Sequence, residues 1–81
     1  MNNLLCLSFG QSVRRLRDAH SWSQERLAEK ADLNRSYVGE IERGSVIPSL
    51  LTVEKLATAL DVTMSDLLVE CEQLRRLQIH E

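Results

Sequence analysis

Eighty-one residues, 43% of them hydrophobic, with one proline, three glycines and a net charge of −2, suffice for one small domain spanning residues 1–81. No low-complexity tract marks a disordered tail, and no apolar run approaches the roughly 20 residues needed to cross a bilayer, so no membrane partner is expected. Cys6 and Cys71 lie far apart and form no CxxC, which makes them packing residues in a reducing compartment rather than a disulfide or metal pair. The N-terminal LLCL segment is too short for a signal peptide and has no basic flank, so the expected localisation is cytoplasmic.

The first helix is expected from about Phe9 to Ala19. Ser8 would cap it, Gln11 would answer three residues on, and Val13 and Leu16 would form its apolar face. Leu4, Leu5 and Leu7 precede it and join either the core or an outer surface.

The segment Ser23–Gly44, SQERLAEKADLNRSYVGEIERG, reads as two short amphipathic helices with a tight corner between them. Leu27, Ala28 and Ala31 line one; Val38 and Ile41, three apart, line the other. Ala28 is small enough to let two helices cross closely. Asp32 stands where the chain reverses, and aspartate tolerates left-handed backbone better than most residues. Ser23 caps the first of the pair, with Trp22 and Leu27 as its hydrophobic staple; Asn34 caps the second, with Leu33 and Val38. Two helices at about 90–120° joined by a 3–4-residue turn make a helix-turn-helix, a unit that lays its second helix in a DNA major groove.

Gly44 ends that helix, since glycine accepts the left-handed cap conformation. SVIP follows as a loop. Ser49 caps a fourth helix that runs to about Leu60, with Leu50, Val53, Leu56, Ala57 and Leu60 at helical spacing. Thr63 caps a fifth, with Val62 and Leu67 as staple and Asp66 three residues past the cap. Nothing after it breaks a helix, so it is expected to continue through Leu77. No strand-like alternation appears, and the fold class is all-α with five helices.

Charge is unevenly distributed. Gln11–Arg43 holds seven basic residues against six acidic ones, while Gly44–Glu81 holds three against six. The second half is the acidic pole and should face away from phosphate. Non-specific attraction to DNA should be weak and fall steeply with salt.

Together the motifs resemble the Xre or Cro/repressor class of helix-turn-helix regulators. The resemblance rests on V-R-x-L-R at Val13–Arg17, S-Q-x-x-L-A-x-K-A at Ser23–Ala31 and S-Y-V-x-x-I-E-R-G at Ser36–Gly44. It continues with P-S-L at Pro48–Leu50, L-A-x-A-L at Leu56–Leu60 and D-L-L at Asp66–Leu68. The run N-R-S-Y-V-G-E-I-E-R-G is most similar to controller proteins of restriction–modification systems. Asp32 departs from the glycine usual at that position. The resemblance implies a lambda-repressor-like DNA-binding domain, with a core over residues 8–68 and a helical extension over residues 69–81.

It also implies a transcriptional regulator that binds double-stranded DNA as a homodimer, on a pseudo-palindromic operator, through a recognition helix at about Asn34–Arg43. Gln24, with Ser23 before it, would bond a backbone phosphate at a helix N-terminus that favours anions in any case. Arg35 and Ser36 lie on the first turn of the recognition helix, where arginine reads guanine bidentately or else holds a phosphate. Asn34 is a helix cap that can also donate to a phosphate. The Tyr37 hydroxyl reaches a phosphate, or the residue serves only the core. Glu40 either accepts from cytosine N4 or pairs with Arg43 or Arg35 and orients it. Arg43 is a phosphate contact by family analogy, or a cation that suits a negative helix end. Gly39 lacks a side chain on this helix, which points to close approach of a backbone or another helix.

By the same resemblance, Arg17 and Glu42 form a partly buried ion pair tying the first helix to the third. The stripe Leu67, Leu68, Cys71, Leu74 and Leu77 either finishes the monomer core or, since it runs past the family's usual domain end, forms the two-fold dimer surface; the dimer surface, at Leu67, Cys71, Leu74 and Leu77, is the expectation taken. The alternative is an antitoxin-like module that binds DNA and also a protein partner. His20 and His80 are far apart, and no catalytic triad, phosphate loop or metal-spaced ligand set exists in the sequence. No enzyme activity, cofactor, metal or small-molecule ligand is expected.

Overall fold

The computed structural model describes residues 3–79. Its elements are α1 (Leu4–Ala19), α2 (Gln24–Ala31), α3 (Arg35–Arg43), α4 (Leu50–Ala59) and α5 (Met64–Ile79). No strand occurs among the described residues.

Caps set the helix starts. Ser23, Asn34 and Ser49 have extended backbones, and their side chains accept from the amides of Arg26, Ser36 and Thr52. Thr63 Oγ1 accepts from the Asp66 amide at 2.9 Å. Each cap contributes about 1 kcal/mol, and together they fix the register of four helices.

The helix ends share one device. Ser21 (φ 60°), Asp32 (φ 55°), Gly44 (φ 74°) and Asp61 (φ 61°) are left-handed. In each case the next amide reaches back five residues: Trp22 to Arg17 O, Leu33 to Ala28 O, Ser45 to Glu40 O and Val62 to Ala57 O, at 2.9–3.2 Å. These bonds satisfy carbonyls that a helix end otherwise leaves open. Asp32 and Gly44 fall where the sequence places them. Ser21 and Asp61 take the same conformation at two ends for which the sequence reading named no left-handed residue.

α1 begins earlier than expected. Asn3 is its cap, with Oδ1 accepting from the Leu5 amide at 2.8 Å and the Cys6 amide at 3.3 Å. Ser8 is fully buried inside the helix, and its hydroxyl donates to Gln78 Oε1 on α5 at 3.3 Å. Gln11, expected to complete the cap, instead accepts from Gln78 Nε2 at 2.7 Å. The extra turns are held by packing of Cys6 and Phe9 and by α5 lying along α1. A local cap rule carries no information about that partner helix.

The core gathers Phe9 and Val13 of α1, Leu27 and Ala28 of α2, and Val38 and Ile41 of α3. Leu56 and Leu60 join from the α4 end, and Leu67 and Cys71 from α5. Gly10 is required by the closeness of α1 to α3. A Cβ there would run into the Ile41 carbonyl oxygen and lie 2.7 Å from that of Glu42. α5 is continuous across residues 68 and 69, and Cys71 belongs to the core, so the expected boundary at residue 68 is not a structural break. Residues 80 and 81 of the expected extension lie outside the described residues.

The expected dimer stripe is corrected on the same ground. Leu67 and Cys71 are 0% and 1% exposed and fill the monomer core, and Leu74 is half-buried; only Leu77 is largely exposed. Positions 67, 71 and 74 share one helical face, and that face is taken by this chain itself.

Candidate nucleic-acid interface

The interface is built from α2 and α3. Leu27, Ala28 and Ala31 bury one face of α2, and Val38 and Ile41 bury one face of α3. The Asp32 corner is closed by the Leu33 bond to Ala28 O. What these two helices turn outward is therefore determined residue by residue.

Gln24, Arg35, Ser36, Gly39, Glu40 and Arg43 line one open depression of about 290 Å³ between the two helices. Five of the eight residues expected to meet DNA are thus brought together. Ser23 and Asn34 spend their side-chain oxygens on the caps of α2 and α3. Tyr37 is half-buried, packed against the core. Among the described residues, Arg35, Glu40 and Arg43 have no ion-pair partner, so the expected pairing of Glu40 with either arginine is not formed in the free chain. Two free cations on one helix face form a ready contact for phosphate or for a guanine edge.

Behind the depression sits the expected ion pair. Arg17 Nε donates to Glu42 Oε2 at 2.7 Å, and Arg17 Nη2 donates to Glu42 Oε1 at 3.0 Å. The two side chains are only 12% and 4% exposed. Arg17 Nη1 also donates to the Trp22 carbonyl at 2.7 Å, across the corner between α1 and α2. The Glu42 bond holds the Arg17 guanidinium above its ordinary pKa. Gln24 Nε2 donates to Glu42 Oε1 at 3.0 Å, so the same carboxylate that ties α1 to α3 also orients the first side chain of α2. That link from the ion pair to the outer surface of α2 and α3 is absent from any motif, because it joins residues 18 apart in sequence.

A second surface was missed by sequence reasoning. Ile47, Leu50 and Leu51 are 80%, 77% and 61% exposed. Ile47 and Leu50, with Leu5 and Leu68, line a mainly apolar depression of about 220 Å³ that also includes the buried Phe9 and Cys71. The available signal was Ile47 beside Pro48 in a short loop, apolar where a connecting segment is usually polar. Burial pushes the Cys71 thiol up from its ordinary pKa. Both cysteines are free, as expected of packing residues. At the α1–α2 corner, His20 stacks on Trp22 with ring centroids 4.3 Å apart, and Lys30 lies 5.7 Å from the Trp22 ring. These contacts brace the corner.

A helix-turn-helix family model matches residues 13–67, from the middle of α1 into α5. The chain belongs to the helix-turn-helix family. That membership makes it a DNA-binding regulator and not an enzyme. It is 48% identical over 69 residues to the control protein C.BamHI of Bacillus amyloliquefaciens, covering 84% of this chain and 85% of that one. Among solved structures, the restriction-modification controller protein C.AhdI from Aeromonas hydrophila matches with a TM-score of 0.75 and 50% identity. That match covers 76% of this chain and 94% of the other. The clp gene regulator ClgR from Corynebacterium glutamicum superposes more extensively, with a TM-score of 0.91 at 26% identity, over 99% of this chain and 85% of that one. The resemblance to repressor-class regulators, and to controller proteins within them, is therefore sound. No helix among the described residues is long and apolar enough to cross a membrane.

Proposed function

We propose that this chain is a cytoplasmic, sequence-specific transcription regulator that binds double-stranded DNA as a homodimer, in the manner of a restriction–modification controller protein. The observation that carries the reading is the exposed face of α3. Arg35, Ser36, Glu40 and Arg43 stand together on a helix whose other face is locked into the core. Arg35 reads a guanine, Glu40 accepts from cytosine N4, and Arg43 and Gln24 hold the backbone. Similarity to C.BamHI and C.AhdI supports the controller assignment.

Dimerisation is assigned to the apolar face of Leu5, Ile47, Leu50 and Leu68 rather than to the Leu67–Leu77 stripe. Exposed apolar side chains clustered in this way mark an interaction surface. A two-fold dimer would place two copies of α3 in successive major grooves, with half-sites about 34–36 Å apart.

Selection from a random duplex library at two salt concentrations tests the reading. A two-fold symmetric motif, relaxed at specific positions by Arg35→Ala, is the expected result; each lost bidentate contact costs about 1–3 kcal/mol of discrimination. A folded protein that enriches no motif and sediments as a monomer would instead support the partner-binding alternative.

A further inference from the structure

We propose that Gly39 is the seat of a DNA backbone phosphate, one per half-site, held by Arg43, which leaves Arg35 free for its base contact. The proposal rests on the DNA-binding reading above and adds a contact residue to it.

Two of the three glycines are explained from inside the fold. Gly10 lets α1 lie on the backbone of α3, and Gly44 takes a left-handed φ beside Leu7. Gly39 has neither reason. It sits in the middle of a nine-residue helix with no positive φ. A Cβ added there would meet only Arg43 Nη1 at 3.2 Å and Gln24 Oε1 at 3.6 Å, the far ends of two flexible side chains. Helix propensity favours almost any other residue. The fold therefore gains nothing from this glycine, and the reason for it lies outside the chain.

Its position identifies the ligand. Residues four apart stack on one helix face, so Arg35, Gly39 and Arg43 form a single stripe, with Gly39 about 6 Å along the axis from each arginine and buried in the free chain beneath the mobile ends of Arg43 and Gln24, which must part to admit an anion. Gln24 borders the notch from α2. In the free chain its Nε2 donates to Glu42 and its Oε1 faces Gly39, so the side chain turns over when Nε2 donates to an anion there. No apolar side chain lines the depression, so a thymine methyl finds no complement, whereas an anion finds the Arg43 guanidinium and an amide. The Glu40 carboxylate stands at the flank and keeps the anion on the arginine side. A phosphate oxygen reaches the Gly39 backbone only because no methyl group stands in its way.

The test uses the full chain, a duplex carrying its selected motif, and Gly39→Ala. The variant is expected to melt at the wild-type temperature or above. Its affinity for the duplex should fall roughly tenfold, with a log–log salt slope shallower by about 0.9 per half-site, as one lost phosphate contact requires. Duplexes carrying a single neutral methylphosphonate should reveal one position per half-site that weakens wild-type binding and leaves the variant unaffected. Wild-type affinity and slope in the variant overturn the proposal, as does a lowered melting temperature, which would give the glycine a packing role. A wild-type chain that binds no duplex removes the DNA reading itself, an outcome distinct from equal binding by both proteins.

Discussion

Truncating the Arg17–Glu42 pair one residue at a time should be strongly and unequally destabilising. Glu42→Ala removes the acceptor of three hydrogen bonds, two from Arg17 and one from Gln24. Arg17 would remain partly satisfied, because Nη1 keeps the Trp22 carbonyl at 2.7 Å and lies 3.4 Å from Asp18 Oδ1. Arg17→Ala is worse: it leaves a carboxylate 4% exposed that keeps, among the described residues, the hydrogen bond from Gln24 alone. Breaking a buried pair costs about 3–5 kcal/mol, so Glu42→Ala belongs at the lower end of that range and Arg17→Ala at the upper. A domain of this size has about 4–12 kcal/mol in total, so either change consumes a large share of it. Replacing both with apolar residues, Arg17→Met with Glu42→Leu, should restore most of the loss, since no charge is then stranded. Urea denaturation at several protein concentrations measures all four forms and separates monomer stability from association. Two single variants that each cost under about 1 kcal/mol and add in the double variant would refute the argument, because an exposed pair behaves that way.

Other outcomes follow from single positions. Gly10→Ala should cost about 1–3 kcal/mol in the same denaturation assay, the penalty of overpacking against the rigid α3 backbone. Asp32→Gly should raise stability by up to about 1 kcal/mol by relieving a left-handed non-glycine residue. Because burial raises the Cys71 thiol pKa, the folded chain keeps a proton that the unfolded chain releases. Stability should therefore hold below about pH 8.5, the ordinary thiol pKa, and fall as the pH rises from there through the folded value. The difference between wild type and Cys71→Ala across pH 7–10 isolates that term, and parallel curves would count against it. If the proposed apolar face mediates dimerisation, the wild type sediments as a dimer and Ile47→Asp as a monomer in analytical ultracentrifugation, with an unchanged circular dichroism spectrum, since Ile47 is 80% exposed in one chain.

Local order was legible in this sequence because it depends on near neighbours. Ser23, Asn34, Ser49 and Thr63 announce four helix starts through a bond spanning two or three residues, and Gly44 and Asp32 announce two ends. The outward residues of α3 were legible for the same reason: once its apolar face is known, Arg35, Ser36, Glu40 and Arg43 must occupy the other. Ser8 shows the limit. It has the type and spacing of a cap, yet it lies inside α1, because α5 packs along that helix from some 70 residues away.

Tertiary structure alone decided which apolar faces this chain keeps for itself. Leu67, Cys71 and Leu77 look alike on a helical stripe, but the first two are consumed by the core and the third is left in solvent. Ile47, Leu50 and Leu68 carry no common periodicity; they become one surface only when the loop before α4 and the flank of α5 are folded beside each other. The sequence by itself determined the five helices, four of their caps and the polar face of α3, all set by bonds and periodicities a few residues long. The exposed apolar face around Ile47, the Gly10 crossing and the Gln24–Glu42–Arg17 link were decided by long-range packing, since each joins residues that a periodicity of 3.6 cannot relate.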